Sequence, residues 1–244
     1  MKSSNIILLV AGIVFLASLT AYNFSVKNEY LRVNYKDPFY EYSKLKFKDF
    51  DKIEIKAGNL VDLKIVQKPE FDFRVNKRLE DDFLITQTGS TISIGIKDST
   101  KRSYYYPKSI VIFCPYLKEL KVDAQMTLNN NGDGKEVPGY LYQGDRQIVL
   151  EGFSLDSLSV VQGIFNTVKL SRNKIGRLVA ITGGKVNGGS KLVVGADNEI
   201  RSANFSISNH NQLSLKGGRI DDLQLNPADS ASVELQGNAL SLLK

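Results

Sequence analysis

The chain has 244 residues, a net charge of +6, 42% hydrophobic and 24% charged residues and no Trp, enough for one large or two small domains and unlike a disordered or collagen-like chain. A single Cys (Cys114) excludes an internal disulfide, and with a single His (His210) it excludes the usual four-ligand structural zinc site and any centre built on two histidines. The positive charge is dispersed, nine basic against six acidic side chains in residues 1–56 and twelve against eleven in residues 126–244, which is not the footprint of a nucleic-acid binder.

The first element is apolar. No charge falls between Lys2 and Lys27, and Ile6 to Val26 as a helix reaches about 30 Å, the thickness of a bilayer core. A cleaved signal peptide has a similar start, but Leu19-Thr20-Ala21 is a poor small-residue cleavage site, which favours an uncleaved transmembrane anchor over residues 1–26. No Cys follows that would carry a lipoprotein anchor. The flanking charges, Lys2 against Lys27 and Arg32, do not set the orientation. Residues 27–44 read as a linker or first edge strand, with Tyr30, Tyr35, Tyr40 and Tyr42 suited to a headgroup region. The basic run Lys44, Lys46, Lys48 and Lys52 is interleaved with Asp49, Asp51 and Glu54, so it reads as a solvated strand face.

Period-two alternation then predicts strands around Ile53 and Ile55; Val61, Leu63 and Ile65; Phe71, Phe73 and Val75; Ile92, Ile94 and Ile96; and Ile110 and Ile112. Gly58-Asn59, Lys68-Pro69 and Gly89-Ser90 mark turns between them. No amphipathic helical window follows residue 30, and the remainder is all-β.

In the second half an apolar-x-x-apolar-x-apolar phrase recurs. It begins at Leu117, Leu155, Ile175, Ile200 and Ile220, and second short strands (Val168 and Leu170, Leu192 and Val194, Leu213 and Leu215, Val233 and Leu235) lie between the later copies. A period near 20 residues with Asn and Gly at the corners (Asn187-Gly188-Gly189, Asn209-His210-Asn211, Gly217-Gly218, Gly237-Asn238) predicts a parallel β-helix-like solenoid with one coil per repeat. The rival is a β-sandwich of short antiparallel strands.

No residue group in the sequence earns a catalytic, cofactor or metal assignment, and no cofactor is implied. Asn129, Asn131, Asp133 and Gly134 match the first half of a calcium loop, but Tyr140 stands where the bidentate Glu belongs, so a polar insertion is expected. Gly184 to Ser190 lacks the Lys-Ser/Thr of a phosphate loop and reads as a coil corner. Glu80-Asp81-Asp82 and Asp221-Asp222 are the only acidic clusters, and neighbours on a strand point to opposite faces, so at most one of Asp221 and Asp222 would line a given groove. These acids read as solvated turn residues. Tyr104-Tyr105-Tyr106 reads as a stacking platform or a loop closing the core, Cys114 as a buried small hydrophobe and His210 as an exposed corner residue.

The order of motifs resembles a known family: Phe50-x-x-Ile53-x-Ile55, Val61-x-Leu63-x-Ile65, Gly89-x-x-Ile92-x-Ile94, Pro115-x-Leu117-x-x-Leu120, then the coils. Over residues 45–244 the chain looks like the auto-transporter adhesin, head GIN domain family, common among exported or membrane-anchored proteins of Bacteroidota. One departure is Val122-Asp123-Ala124-Gln125, where the family places a Gly. The resemblance implies a β-helical fold over residues 45–244 and an envelope location, and carries over no functional residues.

The expectation is a non-enzymatic, single-pass protein of the cell membrane with its β domain on the periplasmic or extracellular side. It acts as an adhesin or surface-interaction module, with the membrane, through the N-terminal helix, and a protein or glycan as partners and no nucleic acid. The alternatives are a polysaccharide-active β-helix enzyme and an envelope protein that binds a small ligand or lipid.

Overall fold

A computed structural model describes residues 3–32, 37–97, 106–125, 127–130, 136–139, 146–183 and 189–243. The chain divides into two units, Met1–Tyr42 and Ser43–Lys244.

The first unit is dominated by one helix, α1 (Ser3–Arg32), of 30 residues. Residues Ser3–Leu31 are long and apolar enough to cross a membrane, and the apolar side chains lie all round the helix, with Ile7, Leu8, Phe15 and Leu16 exposed. That distribution suits lipid or a signal segment and not the one-sided stripe of a soluble surface helix. The hydroxyls of Ser18 and Thr20 donate to the carbonyl oxygens of Val14 and Leu16, each at 2.8 Å, so both polar groups are satisfied within the helix. The helical backbone continues past the uncharged stretch that ends at Val26 to Arg32, into the segment expected to be a linker.

The second unit is mostly β, built on two large mixed sheets that are not closed. Its first half holds β1 (Tyr42–Leu45), β2 (Lys52–Ile55), β3 (Val61–Gln67), β4 (Asp72–Asn76), β5 (Phe83–Thr88), β6 (Thr91–Ile96), β7 (Tyr106–Cys114) and β8 (Glu119–Val122). A separate antiparallel pair follows, β9 (Thr127–Asn130) and β10 (Glu136–Gly139). The second half holds β11 (Ile148–Glu151), β12 (Ser154–Gln162), β13 (Thr167–Ser171), β14 (Lys174–Thr182), β15 (Lys191–Val194), β16 (Glu199–Ile207), β17 (Gln212–Leu215), β18 (Arg219–Pro227) and β19 (Ser232–Leu235). The nine-stranded sheet runs β1-β4-β7-β3-β11-β13-β15-β17-β19, and the eight-stranded sheet runs β18-β16-β14-β12-β8-β2-β6-β5.

From β8 and β11 onward successive strands alternate between the sheets, and every pairing within each sheet is parallel. An antiparallel sandwich does not pair in this way. The sheets are mixed because β4 pairs antiparallel with β7 and β5 antiparallel with β6. β5 escaped the sequence reading because only Phe83 and, partly, Ile85 turn inward from it.

The alternating strands send rows of like residues inward. Leu63, Ile148, Val168, Leu192 and Leu213 stand in register along the nine-stranded sheet, and Leu120, Val160, Ala180 and Phe205 along the eight-stranded one. All nine are 2% exposed or less and belong to one continuous core. Each large aliphatic member contributes about 1.5–3 kcal/mol of burial.

The corners are held by buried amides. Asn173 and Asn198, each 2% exposed, follow β13 and precede β16. Asn173 accepts from the Phe153 N–H at 2.9 Å and donates to the Leu150 carbonyl at 3.1 Å, while Asn198 donates to the carbonyls of Leu170 and Gly195. At the opposite end Ser190 donates its backbone N–H to Asn211 Oδ1 and its hydroxyl to the Gly163 carbonyl. These bonds satisfy backbone groups that no strand reaches.

The departure Val122-Asp123-Ala124-Gln125 also resolves into a corner. Asp123 Oδ1 accepts from the N–H groups of Ala124 and Ile164, in space left by Gly163, whose missing Cβ would overlap that carboxylate. The Gln125 amide accepts from the Ile96 N–H and donates to the Ile96 carbonyl, each at 3.1 Å, closing the end of β6.

Candidate ligand groove

The recurring phrase places two residues, not one, between its first two apolar positions. Strict alternation would send one of the two inward, yet Leu158, Leu178 and Ala203 must reach the core three residues after Leu155, Ile175 and Ile200. The backbone accommodates this by stepping out of the ladder. The register passes from Leu155↔Ile175 to Ser157↔Arg177, from Ile175↔Ile200 to Arg177↔Ser202, and from Ile200↔Ile220 to Ser202↔Asp222. Asp156, Gly176, Arg201 and Asp221 are each left over at this step, as in a bulge repeated in register on four adjacent strands.

A groove of about 850 Å³ lies along this line. Its floor is formed by Leu155, Ile175 and Ile200, and Tyr116 stands among its walls, 44% exposed and edge-on to Phe71 at 5.9 Å. Charged groups make up most of the rest. Lys174 and Arg177 come from β14, Glu199 and Arg201 from β16, Arg219 and Asp221 from β18 and Asp156 from β12.

Two of these acids are already held. Lys174 Nζ lies 3.2 Å from Glu199, and Arg219 Nε donates to Asp221 at 2.8 Å. The hydrogen bond from Arg219 to Asp221, and then the carboxylate's charge, holds the guanidinium proton above its ordinary range. The side chains of Arg177, Arg201 and Asp156 have no hydrogen-bond or ion-pair partner among the described residues. The groove therefore offers two uncommitted guanidinium forks against one uncommitted carboxylate. Gly176 opens a notch beside them, and only a Gly fits there, since a Cβ would stand 2.5 Å from the Asp156 carbonyl oxygen.

The outer face of the nine-stranded sheet has a smaller depression, about 410 Å³, whose cations are Lys169, Lys191 and Lys216. Lys216 is engaged by Gln236 at 3.0 Å.

Several residues singled out in the sequence occupy the expected places. His210 is an exposed corner residue with φ +61°, and Cys114 is fully buried, its thiol pushed up to about 12 by that burial. Glu80-Asp81-Asp82 forms a short 3₁₀ turn with none of the three buried. Of Asp221 and Asp222 only Asp221 lines the groove and both are solvated, as expected, but they lie on β18 and not in a turn, and they do not take opposite faces because the backbone step falls between Ile220 and Leu223. The partial calcium loop at Asn131, Asp133, Gly134 and Tyr140, the glycines of residues 184–188, and Tyr104 and Tyr105 lie outside the described residues.

Sequence reasoning missed Arg177 and Arg201. The signal was present: stacking the phrases one above another puts Asp156-Ser157, Gly176-Arg177, Arg201-Ser202 and Asp221-Asp222 in a single row.

No family model matches the chain, and no curated protein does. Among solved structures, a candidate adhesin from Bacteroides fragilis is similar over 80% of this chain and 95% of its own, at 12% identity and a TM-score of 0.50. A candidate lipid-binding protein from Parabacteroides distasonis (14% identity, 81% and 94% covered) and a candidate adhesin from Parabacteroides merdae (11%, 80% and 95%) each give a TM-score of 0.36, too low to bear weight. At such identity the Bacteroides fragilis structure speaks for a shared fold alone.

Proposed function

We propose that the chain is a non-enzymatic, membrane-anchored cell-envelope protein whose β region, residues 45–244, is a solenoid of roughly 20-residue coils that presents its surface to a partner, the role of an adhesin. Residues 1–26 are the anchor and residues 27–44 the linker, with the β region on the periplasmic or extracellular side. The observation that carries the surface role is the groove across β12, β14, β16 and β18, where Arg177 and Arg201 stand uncommitted in solvent.

The solenoid reading is supported by the unbroken series of parallel registers in both sheets. The rows of Ile, Leu and Val that fill the interior speak against an apolar ligand held between the sheets. Catalysis on polysaccharides is disfavoured by the state of the acids: Glu199 and Asp221 are 58% and 46% exposed and each is held by a cation. A glycosidase acid needs a desolvated carboxyl that keeps its proton.

Two measurements test this function. Protease treatment of intact cells, followed by N-terminal sequencing of the membrane-retained fragment, is expected to release the β region and leave a fragment that starts at residue 1 or 2. A membrane-free protein starting near residue 22 would replace the anchor by a cleaved signal. Attachment assays with cells lacking the gene are expected to show reduced adhesion to their natural surface, and unchanged attachment would reject the adhesin role.

A further inference from the structure

We propose that the groove binds an acidic polysaccharide, its ring carboxylates seated on Arg177 and Arg201. The inference rests on the surface-interaction role and names the class of partner. A guanidinium is always charged and matches a carboxylate with two parallel hydrogen bonds, so a pair of uncommitted arginines on neighbouring strands is a receptor for repeated carboxylates. Within the groove the competing acids are few. Glu199 and Asp221 are occupied by Lys174 and Arg219, which leaves Asp156, on β12, as the single repelling group among the described lining residues.

The form of the groove selects a glycan over an acidic peptide. β12, β14 and β16 are paired on both sides, so along most of the groove there is no free strand edge to which an extended peptide could add. The floor residues Ile175 and Ile200 are buried beneath polar and charged groups, which leaves no deep apolar pocket for peptide side-chain anchors. Polar groups instead recur once per strand, about every 4.8 Å, and meet a chain that carries hydroxyls and carboxylates along its whole length. Tyr116 adds an exposed ring against which the apolar face of a sugar can stack.

The test uses the full-length chain in detergent micelles and immobilised polygalacturonate, with its fully methyl-esterified form as the neutral counterpart and poly-L-glutamate as the acidic peptide. Binding to polygalacturonate is expected, weaker by about tenfold for the R177Q/R201Q variant, whose two lost surface charges each contribute about 0.7 kcal/mol converted at 1.4 kcal/mol per decade. The K169Q/K191Q variant, equal in charge change but on the other sheet, is expected to bind as wild type. The methyl ester is expected to bind wild type at least about tenfold more weakly, a comparison that does not depend on any variant folding.

Absence of polygalacturonate binding, equal loss in K169Q/K191Q, or equal binding of the methyl ester would each overturn the proposal. Tighter binding of poly-L-glutamate with the same dependence on Arg177 and Arg201 would overturn it in favour of an acidic protein. Cell attachment by the R177Q/R201Q variant separates the two levels. Attachment lost without polygalacturonate binding rejects the glycan and keeps the surface role, whereas attachment indifferent to both the variant and the gene rejects the surface role itself.

Discussion

Asn198 Oδ1 accepts two hydrogen bonds from Asn173, one from its backbone N–H and one from its Nδ2, both at 3.0 Å. The two side chains come from successive corners, 25 residues apart, and are sealed from water. Replacing Asn173 by Ala leaves the Phe153 N–H, the Leu150 carbonyl and Asn198 Oδ1 short of partners at once. The expected loss is about 2–3 kcal/mol, read as a lower midpoint in urea with little change in slope. A substitution of the exposed Asn209, in a corner at the opposite end, by Ala is expected to cost less than about 1 kcal/mol.

Gly176 is the position where groove and stability meet. Ala introduced there drives its methyl group against the Asp156 carbonyl of the adjacent strand, and backbone in a paired strand cannot easily give way. Gly176→Ala is expected to destabilise by about 1–3 kcal/mol, a shift that thermal unfolding would register. An unchanged midpoint would show that β12 and β14 are not packed this closely.

Acid is expected to weaken the junction of β2 with β8. Asp51 is held below its ordinary value of 3.8 chiefly by the Lys118 hydrogen bond at 2.7 Å, and Glu54 below its 4.5 chiefly by the Lys121 hydrogen bond at 2.7 Å. Both carboxylates bind protons less readily when folded, so their contribution is complete above these ordinary values and is lost as pH falls through the lower folded ones. Asp51→Asn combined with Glu54→Gln is expected to cost about 1 kcal/mol at neutral pH and progressively less as acid protonates the two folded carboxylates. Stability curves of wild type and variant should therefore converge on acidification, and parallel curves would remove the assignment.

Cys114 reports on folding. Its thiol is buried and pushed up to about 12, leaving almost no thiolate at neutral pH. A thiol reagent at pH 8 is expected to label it only after unfolding, in step with the loss of circular dichroism. Rapid labelling of the native chain would mean that the β7 end opens locally.

The parts of the fold that could be read from sequence are those where one face of a strand meets the core. Ile53 with Ile55, Leu192 with Val194 and Leu213 with Leu215 announce their strands because burial selects apolar residues at every second position. Asn173 and Asn198 were not legible, since a buried amide that serves a backbone corner has the same letter as one in water, and only its partners distinguish it. The groove was hidden for a related reason. Arg177 and Arg201 are 24 positions apart and become neighbours only once β14 and β16 pair in register. β5 was obscured because its apolar residues are consecutive and do not alternate, and the last turns of α1 because polar residues outnumber apolar ones there.

The repeated phrases start at 155, 175, 200 and 220, yet both sheets keep their registers through the longer interval. Most of the extra length lies between the end of β14 at Thr182 and the start of β15 at Lys191, where the neighbouring corners need only Gln162 to Thr167 and Ile207 to Gln212. Chain added at that corner is therefore cheap, because the strands on either side are fixed by their own rows. The interval from Thr182 to Lys191 is thus a natural port for an epitope or fluorescent reporter.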